Sequence, residues 1–210
     1  MSEEQAAPGS GNRAIDEAAV RAETTGERNI PVLGGLPVPE DTANLRFGPN
    51  ISDALLALLP LVGVWRGTGQ HDCPRFGEHA FGQQLIIGHD GGDYLTFSSQ
   101  AWSLDADGEF VAPTHRESGF WRIGADDTIE LLLTDAGGVV EMYYGKPRNQ
   151  SSWELSTDVV IGSATGPAVG GAHRLYGIVD GGDLAYVEER VFDDEPMRPH
   201  VSARLARYAG

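Results

Sequence analysis

The sequence predicts an all-β fold, a closed antiparallel barrel of ten strands preceded by one short helix. About ten short segments of strand composition recur between residue 64 and residue 208. The segments between them combine glycine with aspartate, as in "HDGGD", "DADGE" and "DGGD", which is typical of tight hairpin turns. A single leucine-rich segment before the first strand has helical spacing.

The composition limits the classes of function that the chain can have. Its 210 residues include 15 Lys and Arg against 31 Asp and Glu, a formal net charge of -16, which repels nucleic acid and anionic membranes. Cys73 is the only cysteine, so an intramolecular disulfide is excluded. No apolar run approaches the ~20 residues of a membrane span, and no signal peptide is recognisable. We therefore expect a soluble, cytoplasmic protein whose partner is a small molecule.

Residues 1–45 differ from the rest of the chain. They carry eight acidic and three basic side chains, no aromatic residue, and the breaker-rich stretch "IPVLGGLPVPED". Such a segment buries too little apolar surface to offset the entropy lost on ordering. We predict a flexible acidic arm over 1–45, with a short helix around Ala14 to Ala22, and a barrel domain over 46–210. An arm that packs on the barrel or on a partner is the alternative.

The first element of the barrel domain is predicted in "NISDALLALLPLVG". Its leucines have helical spacing, and Asn50, Ser52 or Asp53 can cap the helix. Pro60 cannot donate a backbone hydrogen bond, so we expect a turn near Pro60 that leads into the first strand.

Ten strand segments then follow in close succession. We place them around Trp65 and at residues 80–87, 94–102, 115–123, 128–134, 139–144, 153–160, 173–178, 184–191 and 200–208. A sheet of that length tends to close, because closure removes its exposed edges. A ten-stranded barrel is wider than its side chains can fill, so we expect a cavity for a small molecule.

Most of the polar residues carry no recognisable site. The chain has six histidines but neither HxH nor HExxH, so a zinc site is not predicted. The three residues "HDC" at 71–73 alternate between the two faces of a strand, and we place them at the surface or in a turn. Glu188 and Glu189 also lie on opposite faces, and we interpret them as solvating charges.

His200 is the strongest candidate for a ligand. It follows Pro199 in the last strand, and a histidine that projects from a barrel wall into a cavity suits the axial position of haem iron. A hydrogen-bonded wall histidine is the alternative. Strand alternation places Val201, Ala203 and Leu205 on the face opposite His200, which predicts that His200 points outward if that apolar face is the interior.

Three segments together resemble the nitrobindin family, small β-barrels similar to fatty-acid-binding proteins and lipocalins. They are "LLPLVGVWRGTG" at 58–69, "HRESGFWRI" at 115–123 and "MRPHVSARLARY" at 197–208. The family signature GxWxGxG is matched by Gly63, Trp65, Gly67 and Gly69, and the resemblance extends over about residues 50–210.

The resemblance implies one haem b per chain, with His200 as the proximal ligand of ferric iron. It also implies isomerisation of peroxynitrite to nitrate, binding of nitric oxide, and a homodimer. The family's Tyr-Pro-Thr-Ile-like segment corresponds here to Cys73, Pro74 and Arg75, and a lysine expected near the porphyrin is missing around Pro167 to Val169.

Arg75 leaves two readings open. It pairs with a haem propionate, or it occupies the mouth of the cavity and excludes the porphyrin. In the second case the chain is a non-catalytic carrier of a fatty acid or another apolar ligand, with Arg75 or Arg204 as the partner of a carboxylate.

Overall fold

The computed structural model describes residues 10–25, 37–73, 77–193 and 195–210. The chain divides into two compact units, Met1–Val38 and Pro39–Gly210. The first unit contains an α-helix, α1, at Ser10–Thr24, which includes the segment predicted as helical in the arm. The second unit contains the barrel, and near its start Thr42 forms an isolated β-bridge with His89, just after the end of β2.

Ten strands form a single closed barrel in which every neighbouring pair is antiparallel, as predicted. Each strand pairs with the next one along the chain, and the first strand closes the barrel by pairing with the last. The strands are β1 (Gly63–Cys73), β2 (Gly77–Gly88), β3 (Leu95–Leu104), β4 (Phe110–Ile123), β5 (Ile129–Asp135), β6 (Val139–Asn149), β7 (Ser152–Gly162), β8 (Val169–Ile178), β9 (Leu184–Phe192) and β10 (Arg198–Ala209). The alternating inward residues and the short turns of the sequence are the physical basis of this up-and-down order.

The predicted helix before β1 is a 3₁₀ helix over Asp53–Leu61, capped by the Ser52 side chain. Its three buried leucines, Leu55, Leu58 and Leu61, are spaced by three residues, which is the period of a 3₁₀ helix. They pack with buried tryptophans of the strands in one apolar core. This helix therefore marks one end of the barrel.

The turn expected near Pro60 is present, since the helix ends at Leu61 and β1 begins at Gly63, but Pro60 itself lies inside the helix. In a 3₁₀ helix the missing N–H of Pro60 would have bonded to the carbonyl oxygen of Ala57. That oxygen instead accepts a hydrogen bond from the indole Nε1 of Trp153 at 3.0 Å. The proline thus frees an acceptor that ties β7 to the helix.

The GxWxGxG signature builds the same end of the barrel. Trp65 is fully buried, and its indole Nε1 donates to the Leu61 carbonyl at 2.9 Å. Gly67 follows Trp65 by two residues on β1. A Cβ atom on Gly67 would lie 2.2 Å from the carbonyl oxygen of Arg204 in β10. The backbones of β1 and β10 approach too closely there for any side chain.

We expect Gly67→Ala to lower the free energy of unfolding by about 1–3 kcal/mol, because the new methyl group must push β1 away from β10. Urea unfolding followed by circular dichroism measures this. Gly162→Ala is the matched control, since the Cβ atom there would meet only the Pro167 carbonyl oxygen at 3.5 Å. Equal losses in the two variants would show that Gly67 is not held by this contact.

Candidate functional site

A cavity of about 590 Å³ opens inside the barrel. His71, near the end of β1, is one of its lining residues, whereas the start of β1 adjoins the 3₁₀ helix. The cavity therefore lies toward the barrel end remote from that helix. None of the described lining residues belongs to the GxWxGxG signature, so the signature lies outside the described cavity wall.

His200 lines this cavity, together with its neighbour Val201. The outward orientation predicted from alternation is wrong, because β10 is irregular at this point. Pro199 pairs with Glu189 and Val201 pairs with Glu188, so two residues of β9 face three of β10. The extra residue is a β-bulge, which lets successive side chains face the same side of the sheet.

The ring of His200 is fixed by a backbone carbonyl. Its Nδ1 lies 3.0 Å from the oxygen of Asp72, and since a carbonyl only accepts, Nδ1 carries the proton. Burial lowers the pKa of His200 and outweighs the opposing effects of Glu188 and the Asp72 carbonyl. The imidazole is therefore neutral at neutral pH, with the lone pair of Nε2 available to a metal.

Two aromatic rings hold His200 from its sides. The His71 ring contacts it edge-on at 4.3 Å between centroids, and the Phe192 ring contacts it edge-on at 4.8 Å. His71 is itself neutral, because burial, followed by repulsion from His200 and the other nearby histidines, lowers its pKa to about 4. The segment 71–73, predicted as surface or turn, thus contributes both the His71 ring and the Asp72 carbonyl to the wall around His200.

Four histidines line the cavity, and they differ in what their ring nitrogens face. His79 is partly buried, its ring packs against the His71 ring at 4.8 Å between centroids, and its Nδ1 lies 3.3 Å from the carbonyl oxygen of Gly77. His115 faces carboxylates with both nitrogens, and the buried Nδ1 of His71 has no hydrogen-bond partner. Within the described residues, no group of three His, Cys, Asp or Glu side chains could hold a metal ion. A single histidine ligand, as in haem proteins, is the arrangement that His200 offers.

Buried ion pairs form the polar floor of the cavity. Arg174 Nη2 lies 2.6 Å from Glu117 Oε1 and 2.7 Å from Glu188 Oε2. Arg190 continues the chain, with Nε 2.7 Å from Glu188 Oε1 and Nη2 2.8 Å from Glu141 Oε1. The five side chains come from β4, β6, β8 and β9, so the floor ties four strands together across the lumen.

Glu188 was interpreted as a solvating charge, and this interpretation is wrong, because only 4% of the residue is exposed. Glu189, its neighbour, does face outward with 47% of its side chain exposed. The sequence did contain a signal for this difference. Glu188 and Arg190 continue the inward alternation of Leu184 and Tyr186 along β9.

The charges of the floor nearly balance. Burial raises the pKa of Glu117, but the Arg174 guanidinium and His115 outweigh it and hold that pKa well below the ordinary glutamate range. Glu188 behaves in the same way, with Arg174 and Arg190 outweighing its burial. Burial dominates at Glu141 and raises its pKa. The guanidinium groups of the two arginines therefore face the ionised carboxylates of Glu117 and Glu188, and the carboxyl group of Glu141, which takes up a proton more readily.

The arginines proposed as carboxylate partners are not in the described cavity wall. Arg75 and Pro74 lie outside the described residues. Arg204 is on the outer face, where its Nε lies 2.7 Å from Asp183 Oδ2 and 62% of its side chain is exposed. That candidate is wrong because Arg204 alternates with the inward-facing Ala203 and Leu205 on β10.

The residues present fit a haem group. A porphyrin needs flat apolar walls and one axial nitrogen, and His200 offers that nitrogen in a neutral ring. The apolar side chains of the wall are Phe81, Ala101, Val139, Pro167, Val169, Phe192 and Val201. Pro167 and Val169 stand where the resemblance expects a lysine, so this stretch contributes apolar contact in place of a charge.

Known proteins share both this sequence and this fold. Residues 54–207 match the family described as "THAP4-like, heme-binding beta-barrel domain". The chain is 62% identical over 196 residues to the "Ferric nitrobindin-like protein" of Nocardia farcinica, covering 92% of this chain and 83% of that protein. It is 58% identical over 210 residues to "Peroxynitrite isomerase 2" of Rhodococcus jostii, covering 96% of this chain and 99% of that protein.

A solved structure agrees with the barrel. The crystal structure of Rv2717c from M. tuberculosis superposes with a TM-score of 0.67 at 28% sequence identity, covering 75% of this chain and 99% of that one. No helix within the described residues is long and apolar enough to cross a membrane. The sequence match extends over almost the whole barrel. The chain belongs to the THAP4-like family of haem-binding β-barrel domains and is a relative of the nitrobindins, as its sequence predicts.

Proposed function

We propose that this chain binds ferric haem in the barrel cavity through His200 and converts peroxynitrite to nitrate there. The observation that carries the proposal is the neutral His200 ring, held by the Asp72 carbonyl and facing a cavity with apolar walls. The family of haem-binding barrels and the activity in the name of the Rhodococcus relative support it.

The chemistry divides between the group and the chain. When bound, ferric haem supplies a Lewis-acidic iron with one open coordination position. His200 presents the Nε2 lone pair as the anchor, and the apolar side chains of the cavity exclude water from the bound ligand. Peroxynitrite and nitrate are isomers, so the conversion needs no net proton or electron from the protein. The described residues therefore need only two roles: the cavity wall positions the ligand, and the neutral His200 anchors the haem.

Four finer features belong to the same proposal. The group is haem b, one per chain, as the family resemblance implies. The chain works in the cytoplasm, in agreement with its single cysteine, and it forms a homodimer, as the family resemblance implies. With haem held by His200, the chain would also bind nitric oxide.

The carrier reading has less support. A fatty acid in the cavity would need a cation for its carboxylate. Arg174 and Arg190 are the arginines among the described lining residues, and both are already paired with buried glutamates. Arg75 and His115, a further lining residue whose pKa neighbouring carboxylates raise to about 10, keep this alternative open.

Titration of the purified full-length chain with ferric haem tests the proposal. We expect a Soret band that saturates at one haem per chain, and faster decay of peroxynitrite in stopped-flow absorbance with nitrate as the product. A chain that develops no Soret band but takes up a fluorescent fatty acid would overturn the haem proposal and favour the carrier.

A further inference from the structure

The strand order of the barrel identifies the wall that faces His200. Counting from β10 in either direction around the ring, the fifth strand is β5. β5 and its neighbours β4 and β6 therefore form the wall opposite His200 across the lumen. His115 on β4 and Asp135 on β5 both line the cavity from that wall.

Asp135 orients the ring of His115. Its Oδ2 lies 2.8 Å from His115 Nδ1, while its Oδ1 accepts a hydrogen bond from the backbone N–H of Gly137. The carboxylate is thus fixed through one oxygen and holds the histidine through the other. Such a carboxylate–histidine pair sets which ring nitrogen faces the cavity.

The second nitrogen of His115 faces Glu117 without a hydrogen bond to it. Nε2 lies 3.8 Å from Glu117 Oε1, which is too long for a hydrogen bond, and that same oxygen is already held by Arg174 at 2.6 Å. Nearly half of the His115 side chain, 49%, is exposed. The ring therefore has one nitrogen committed to Asp135 and one without a hydrogen bond.

The charge of His115 makes that nitrogen a donor. Burial lowers the pKa of His115, but the carboxylates of Asp135 and Glu117 outweigh it and raise the pKa to about 10. Both nitrogens then carry protons at neutral pH. An imidazolium N–H forms a stronger hydrogen bond to an anion than a neutral donor does.

We propose that His115 donates a hydrogen bond from Nε2 to an anionic ligand held in the cavity across from His200, and that Asp135 is its positioning residue. This inference rests on the proposed function, because the anion is the substrate or product bound at the open side of the haem. A donor placed in advance where negative charge resides stabilises that charge without reorganisation. The two arginines of the floor are engaged by glutamates, so His115 is the described cation best placed for this role.

Ligand binding to the haem-loaded chain tests the inference without measuring activity. Fluoride is the probe, because it is a strong hydrogen-bond acceptor, and imidazole is the comparison ligand, because it accepts no such bond once it is bound to iron. In His115→Leu we expect fluoride affinity to fall about ten- to a hundredfold, the range of a hydrogen bond to a charged group. Imidazole affinity changes less than about threefold.

Two further variants separate positioning from donation. His115→Gln keeps an N–H donor and should retain part of the fluoride affinity, while Asp135→Asn should lose about three- to tenfold because the ring is no longer held by a charge.

The C–O stretching frequency of the ferrous carbon monoxide adduct should rise in His115→Leu, since a nearby donor lowers it. A merely structural role for His115 would not move this frequency.

The outcomes are distinguishable. A wild type that develops no Soret band overturns the proposed function and this inference together. A wild type that binds haem, with unchanged fluoride affinity and C–O frequency in His115→Leu, overturns only the inference and leaves His115 as an ion pair of the barrel mouth. If His115→Leu does not fold by circular dichroism, His115→Gln and Asp135→Asn decide the question by the same two measurements.

Discussion

His200→Ala is expected to lower the affinity for ferric haem by more than about 100-fold. Loss of residues that merely orient a ligand typically costs 10- to 100-fold in metal affinity, and here the anchor itself is removed. The remaining contacts of the porphyrin with the apolar wall are individually weak and unspecific. A titration followed at the Soret band measures the loss.

The barrel of this variant should remain folded. His200 is the extra residue of a bulge, and its ring faces the cavity instead of the apolar core around Trp65. We therefore expect the thermal unfolding temperature of the haem-free chain, followed by circular dichroism, to change little.

His79→Ala is the matched control for this prediction. His79 also lines the cavity, but it is only partly buried, and its contacts are with the His71 ring and with the Gly77 carbonyl two residues away. Its removal should leave haem affinity within about threefold. A His200→Ala variant that binds haem as tightly as the His79→Ala variant, with an unchanged spectrum, would show that another residue holds the iron.

The fold was predictable from local patterns, whereas the orientation of His200 was not. Alternation and turn residues specify strands and hairpins one at a time, and ten such strands close into a barrel. The same alternation predicted that His200 points outward, because a bulge adds one residue without changing the composition of the strand. The family resemblance identified His200 for a different reason, namely its position after Pro199 in the last strand.

The contacts that hold His200 and the buried ion pairs could not be predicted from the sequence. The carbonyl of Asp72 accepts a hydrogen bond from His200, which lies 128 positions further along the chain. Every residue type has a backbone carbonyl, so the sequence does not indicate which one lies beside His200. Arg174 and Glu117 are 57 positions apart, so their pairing depends on closure of the barrel. For Glu188 the alternation along β9 indicates an inward side chain, but a carboxylate usually indicates a solvent-exposed position.

Arg174 is the residue whose loss should destabilise the barrel most. It is only 3% exposed and lies between the carboxylates of Glu117 and Glu188 at 2.6 and 2.7 Å. Arg174→Met keeps much of the apolar stem but leaves two buried negative charges without this partner. Breaking a buried ion pair from one side typically costs about 3–5 kcal/mol, and we expect a loss of that size in urea unfolding of the haem-free chain at pH 7.

The loss should depend on pH in a defined direction. In the wild type the pKa values of Glu117 and Glu188 are lowered, so the stability that these groups contribute is present above the ordinary glutamate pKa and is lost as the pH falls below it. Without Arg174 the same carboxylates take up protons at higher pH, which relieves their burial. The difference between wild type and Arg174→Met should therefore shrink as the pH is lowered from 7 to 5.

Two controls separate the buried charge from the loss of an arginine as such. Arg204→Met removes an exposed ion pair with Asp183 and should cost no more than about 1 kcal/mol. Adding Glu117→Gln and Glu188→Gln to Arg174→Met neutralises both carboxylates that lost this partner and leaves Arg190 paired with Glu141. The triple variant should regain most of the lost stability, because the penalty comes from uncompensated charge and not from a missing contact. A triple variant as unstable as the single one would mean that Arg174 acts through packing across β4, β8 and β9. If Arg174→Met lowers the free energy of unfolding no more than Arg204→Met does, the floor is open to water and its ion pairs behave as surface pairs.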